Sequence, residues 1–358
     1  MIKPNKLNKG DKVAIVSLSS GILGESFVKH ELDLGEKRLK ELGLIPVYMP
    51  NALKGLDFIK DHPEARAEDL KTAFADKDIK AVICAIGGED TYRTLPYLLN
   101  DETFKANVKN NPKIFLGFSD STTNHLMFAK LGLNTFYGQA LLTDLAEFEP
   151  EMLPYSKEAF ERLFTTNTYE IKPSQVWYED RTDYTPAAVN TLRISHDNSK
   201  GYELLQGSGI VQGELLGGCL EVMSDFVGLA TKNIDVVNEV CKTCNVFPTT
   251  EEWSGKIMLI ETSEQKISPE NYAIAIKKFK ELGVFNKING LLVGKPIDEV
   301  FYDEYKEILK QELSSFNFPI LYNINVGHSY PHTILPLGAK VEIDCNNKTL
   351  KVVEQPLN

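Results

Sequence analysis

The stretch that decides the fold is Lys113-Ile114-Phe115-Leu116-Gly117-Phe118-Ser119-Asp120-Ser121-Thr122. A short apolar run ends at Phe118, and small polar residues then open a helical pattern that continues to Leu131. The run reads as a strand over Lys113–Phe118 and the continuation as a helix over Asp120–Leu131. The same strand-then-helix grammar recurs upstream. Lys12–Ser19 (KVAIVSLS) reads as a short buried strand, and Phe27–Leu42 as a helix after a loop containing Gly21 and Gly24. Leu44–Met49 is a second strand, followed by a helix from Pro63 to about Ala75, with proline in the tolerated first turn. Lys80–Ile86 (KAVICAI) is a third strand, broken by Gly87-Gly88 and followed by a helix near Thr91–Leu99. Strands alternating with helices predict an α/β domain: a parallel sheet with helices on both faces.

The texture changes after about Glu170. Lys172–Gly209 is rich in Pro, Asn, Asp, Ser and Gly and has little periodicity, which reads as a linker with long loops. Regular structure resumes with a strand at Ile210–Leu216, a helical pattern over Gly217–Leu229 and the strand Lys256–Glu261 (KIMLIE). Helices over Pro269–Leu282 and Asp303–Leu313 flank a strand at Gly290–Val293. A hairpin around Asn346-Asn347 closes the chain. At roughly 100–200 residues per domain, 358 residues predict two domains. The expected division is an α/β domain over 1–170, a linker and substrate loop over 171–209, and a smaller mixed β/α, barrel-like domain over 210–358.

Composition narrows the function classes. With 39 Lys and Arg against 50 Asp and Glu, the net charge is −11. Phosphate backbones need a basic surface, so a nucleic-acid polymer is not an expected partner. No apolar run reaches the roughly 18 residues of a membrane span, and the N-terminus lacks a secretory apolar core. The five cysteines are odd in number and scattered. These features predict a cytoplasmic protein with reduced thiols. Cys241 and Cys244 have the spacing of half a zinc site or of a redox pair, but no second such pair exists, so plain surface thiols are expected there.

Three places could carry chemistry. Ser119 falls where a strand turns into a helix, so its hydroxyl can stand clear of the sheet beside free backbone N–H groups. The pattern is G-x-S-x-S, and Ser119 or Asp120 could equally cap the helix. Gly87-Gly88 ends a neighbouring strand on the same sheet edge. There it could turn an N–H group toward an oxyanion or simply make a tight turn. The third place is split between Glu261, at the end of KIMLIE, and His328, in Asn325-Val326-Gly327-His328. A serine nucleophile needs an imidazole within reach and a carboxylate to orient it. His332, four residues on, rivals His328 for that role. A non-catalytic protein that binds a small ligand in its cleft is the reading from another class.

These segments together resemble the S66 family of serine carboxypeptidases, which holds the LD-carboxypeptidases of cell-wall recycling and the microcin C7 self-immunity proteins. The likeness runs in order through Ser19-Ser20, Gly87-Gly88, Gly117-Phe118-Ser119-Asp120, Gly213-Glu214-Leu215-Leu216-Gly217-Gly218, Leu259-Ile260-Glu261 and Val326-Gly327-His328. It implies a Ser119–His328–Glu261 triad, an oxyanion hole from the backbone of Gly88 and Asp120, no metal or cofactor, and a homodimer acting on a small peptide or peptidyl nucleotide. Trp177 resembles the tryptophan-bearing loop of the immunity branch, where such a residue stacks on adenine. An indole gains about 1–3 kcal/mol on a base. Gly87 and Cys219 are the other expected substrate contacts. Cys219 stands where that branch carries asparagine. The resemblance thus implies hydrolysis of an aminoacyl or peptidyl nucleotide, with muropeptide carboxypeptidase activity as the alternative.

Overall fold

A computed structural model describes all residues, Met1–Asn358. The first half supplies strands β1 (Lys12–Val16), β2 (Ile45–Tyr48), β3 (Ile79–Cys84), β4 (Ile114–Gly117) and β5 (Thr135–Tyr137). The rest of the chain supplies β6 (Tyr169–Ile171), β7 (Val176–Tyr178), β8 (Ser195–Asp197), β9 (Glu203–Gln206), β10 (Ile210–Cys219), β11 (Ile257–Glu261), β12 (Gly290–Gly294) and β13 (Ile320–Ile324). It ends with β14 (Leu335–Leu337), β15 (Lys340–Asp344) and β16 (Thr349–Val352).

The first sheet has the order β14-β5-β4-β3-β1-β2. Strands β1 to β5 are parallel neighbours, and β14 is antiparallel to β5. Alternate side chains feed two separate cores. Val13, Ile15, Ala81, Ile83, Ile114 and Leu116 enter one, while Ala14, Val16, Val82, Cys84 and Phe115 enter the other. That two-sided burial explains the unbroken apolar runs of these strands. Helix Lys29–Glu41 covers the first core through Leu32 and Leu39. Helices Pro63–Ala75, Glu102–Asn110 and Thr122–Lys130 cover the second. The α/β reading with helices on both faces holds.

The second sheet has the order β6-β16-β15-β10-β11-β12-β13-β9. Strands β10 to β13 are parallel, and the rest are antiparallel additions at the two sides. The order ends on β6 and β9, so the barrel-like expectation resolves into an open sheet. A third core lies between the two sheets. It combines Phe118 and Tyr137 with Leu259, Val326 and Leu335.

Three local readings are corrected. The helix expected over Gly217–Leu229 begins only at Leu220, because β10 runs on to Cys219. The irregular stretch 172–209 contains β7, β8 and β9, strands of three or four residues that are too short to show a period. The segment after His328, left unassigned in the sequence, supplies β14 to the first sheet. Two strands cross the expected domain division: β6 begins at Tyr169 inside the second sheet, and β14 belongs to the first.

Candidate active site

The chain reverses sharply after β4. Phe118 is extended, Ser119 takes φ 60°, and a tight turn leads into helix Thr122–Lys130. A positive φ on a non-glycine residue is strained and marks a position that its surroundings over-determine. The Ser119 N–H donates to the Tyr137 hydroxyl at 3.1 Å. A Cβ on Gly87 would lie 2.8 Å from Ser119 Cβ and 2.9 Å from its Oγ, so only glycine lets the turn after β3 approach the hydroxyl. Gly88 follows at φ 153° against Ser19.

Asp120 ties these turns together. Its carboxylate accepts from the Ser19 hydroxyl at 2.6 Å and from the Thr91 N–H at 2.8 Å. Burial pushes its pKa up to about 6 against those two donors. Arg66, with no exposed surface, donates to Ser19 O at 3.3 Å and to Asp90 at 2.6 Å. The ends of β1, β3 and β4 thus form one edge, at the place where the strand order reverses.

The second half delivers the other groups to that edge. Glu261, the last residue of β11, is 1% exposed. Its Oε1 accepts from the Tyr137 hydroxyl at 2.6 Å, and its Oε2 accepts from His328 Nδ1 at 2.8 Å. Gly327 is needed for that approach. It has φ 86°, and a Cβ there would sit 2.2 Å from Glu261 Oε2. The His328 ring packs edge-on against Phe118, 5.1 Å between centroids. Its Nε2 stands 3.1 Å from Glu264 Oε2. Burial would lower the His328 pKa, but the two carboxylates outweigh it and push it up to about 10. The rival, His332, pairs with Asp144 and not with Glu261. It is fully buried, with Nδ1 2.8 Å from Asp144 and its ring against Tyr330 and Phe118.

Ser119 opens on a cavity of about 580 Å³ whose walls include Gly88, Asp120, Cys219, Glu221 and Glu264. Cys219 is buried. Its N–H donates to the Thr122 hydroxyl at 2.9 Å, and its thiol lies 3.4 Å from Glu221. Burial, then the neighbouring Glu261, raises the Glu221 pKa. Trp177 is not on these walls. It is 8% exposed, stacked on His196 at 4.3 Å, with Lys295 Nζ 5.2 Å from the ring. Its hairpin is nonetheless bound to the His328 segment. Tyr178 N–H donates to Tyr330 O, and Arg193, paired with Glu147, lies 3.6 Å over the Tyr330 ring. Cys241 and Cys244 are half-buried on helix Ile234–Cys244, and no three His, Cys, Asp or Glu side chains converge as a metal would require.

This arrangement places a strained serine, a buried carboxylate–imidazole pair and close-packed backbone at one strand edge. The N-terminal domain family of LD-carboxypeptidases matches residues 13–138, and their C-terminal domain family matches 212–343. The chain belongs to the S66 peptidase family. It is a serine peptidase of the S66 type. An MccF-like protein from Streptococcus pneumoniae, solved in complex with AMP, is 51% identical, with a TM-score of 0.91 over 95% of this chain and 98% of that one. The microcin C7 self-immunity protein MccF of Escherichia coli is 26% identical, over 82% of this chain and 79% of its own. The probable murein peptide carboxypeptidase of Bacillus subtilis is 27% identical, over 97% and 93%.

Sequence reasoning missed three groups around this S66 site. Tyr137 lies in a three-residue strand with no period to announce it. Asp144 sits in an irregular turn. Glu264 stood in view after Glu261 without a role. The only signal was proximity to a strand end, for Tyr137 and Glu264, and Asp144 had none.

Proposed function

We propose that this S66 enzyme hydrolyses the amide-type bond joining an acidic aminoacyl or peptidyl group to a nucleotide, with Ser119 as nucleophile, His328 as base and acid, and Glu261 as its orienter. One observation supports the roles above all others: the 2.8 Å pairing of His328 Nδ1 with Glu261 beside the strained Phe118–Ser119 turn. Ser119 Oγ bonds to the acyl carbon as its proton passes to His328 Nε2. The backbone N–H groups of Gly88 and Asp120 hold the oxyanion, and losing one such donor typically costs about 10²–10³ in rate. The bond to the leaving nitrogen then breaks, and that nitrogen takes the proton from His328. Water, deprotonated by the same imidazole, releases the acid and restores Ser119.

The nucleotide half of the substrate is favoured by the 51% identity to a protein solved with AMP. In this reading a base displaces the His196 ring and stacks on Trp177, while Gly87 and Cys219 border the acyl part. The same reading takes the division as 1–170, 171–209 and 210–358 apart from β6 and β14, which cross it, with a cytoplasmic location and a homodimer. Cleavage of a muropeptide before its terminal D-Ala is the second reading, favoured by the likeness to the B. subtilis murein peptide enzyme. Purified protein is to be offered an aspartyl adenylate analogue and a tetrapeptide side by side. Release of aspartate from the first supports the proposal. Turnover of the tetrapeptide alone replaces it with the second reading.

A further inference from the structure

Glu264 is not used by the chemistry above, yet it holds the nitrogen on which that chemistry depends. His328 has two ring nitrogens. Nδ1 faces Glu261 at 2.8 Å and Nε2 faces Glu264 at 3.1 Å. An imidazole with a carboxylate on each nitrogen carries both protons, and a doubly protonated ring cannot accept one from Ser119. Glu264 belongs to the turn that follows β11, next to Lys266 at φ 52°. Its side chain is 56% exposed and lines the same cavity as Ser119.

Every other group that faces His328 is fixed. Glu261 is held by the Tyr137 hydroxyl, and Glu221 lies behind it, held by Ser263 N–H and hydroxyl at 2.9 Å each. Phe118 is buried between the two imidazoles, and His332 beyond it is committed to Asp144. Glu264 alone reaches His328 from the solvent-facing side, and its own pKa is lowered by the contact.

We propose that Glu264 is a positioning residue that competes with Ser119 for Nε2 of His328, and that an acyl substrate entering the cavity displaces its carboxylate, whereupon the Nε2 proton leaves on that carboxylate or to solvent and the freed nitrogen faces Ser119. The inference rests on the Ser119–His328 reading given above. It deepens that reading by making readiness of the base a consequence of substrate binding.

The test is the pH dependence of turnover in wild type and E264Q, with any substrate the enzyme accepts. The acid limb of kcat/KM reports the free enzyme, and that of kcat reports the substrate complex. Removing an opposite charge at this range lowers an imidazole pKa by about 1–3 units. The expected result is that E264Q moves the kcat/KM limb down by that amount and leaves the kcat limb in place. Movement of both limbs would mean that Glu264 stays on His328 in the complex, and movement of neither would mean that the contact does not control the base. Either result overturns the proposal. S119A separates the two levels. If S119A still turns over, the catalytic reading itself fails; if S119A is dead while the E264Q limbs behave otherwise than expected, only the role of Glu264 fails.

Discussion

His328 and His332 sit four residues apart, each with Nδ1 2.8 Å from a buried carboxylate and each with its ring against Phe118. They differ at the other nitrogen. His328 Nε2 faces Glu264 on the cavity side, whereas His332 Nε2 is enclosed and makes no hydrogen bond. An imidazole–carboxylate pair is therefore not chemistry by itself. The reaction requires a second edge that a substrate or a nucleophile can reach. In the proposed mechanism the pair with Glu261 uses such an edge, on the side where Glu264 lies. The pair with Asp144 braces the Tyr330–Thr333 segment against the first half instead.

The sharpest way to break this comparison is to give both positions glutamine, which keeps a donor for each carboxylate. If His328 is the base as proposed, H328Q is expected to lose about 10⁴-fold or more in kcat. H332Q should keep kcat within about tenfold of wild type. Single-turnover assays on variants whose melting curves show a folded protein decide it. Equal losses would erase the distinction.

A middle-sized effect falls on Tyr137, which reaches Glu261 but not Asp144. Its hydroxyl donates to a charged acceptor, a bond worth about 1.5–3 kcal/mol, so Y137F should lower kcat by about 10- to 100-fold. Without that donor Glu261 becomes a stronger partner for His328, and the acid limb of kcat/KM should move to higher pH. A Y137F profile with an unshifted limb would reduce Tyr137 to packing.

A further effect, small over any one pH unit, is on stability. The folded-state pKa of His328 is raised to about 10, above the ordinary 6.5. Its pairing therefore stabilises the fold fully below about pH 6.5, and this contribution is lost as pH rises toward 10. The slope is at most about 1.4 kcal/mol per pH unit. Denaturant unfolding across that window should show the decline in wild type and a flatter line in H328Q.

The sequence displayed the parts of this site that sit at strand ends. Ser119 follows the apolar run of β4, and Glu261 closes that of β11; both interruptions are visible in the chain itself. Residue pattern alone left His328 and His332 as rivals and only the family resemblance named His328, because what distinguishes the two is partners 67 and 188 residues away. Residue pattern could not show Tyr137 either. That residue takes its position from β4 on one side and β14 on the other, through pairings with Gly117 and Leu335. Three-residue strands carry no pattern of their own, so what they hold in place is written only in the tertiary structure.

Strand β14 has one more consequence. It is made by residues near the C-terminus and yet completes the sheet built by the N-terminus. The polypeptide is therefore stitched back into its own beginning. A gene cut near its midpoint would give a leading fragment with a naked β5 edge, open to pairing with any passing strand. The two halves are therefore expected to fold as one cooperative unit.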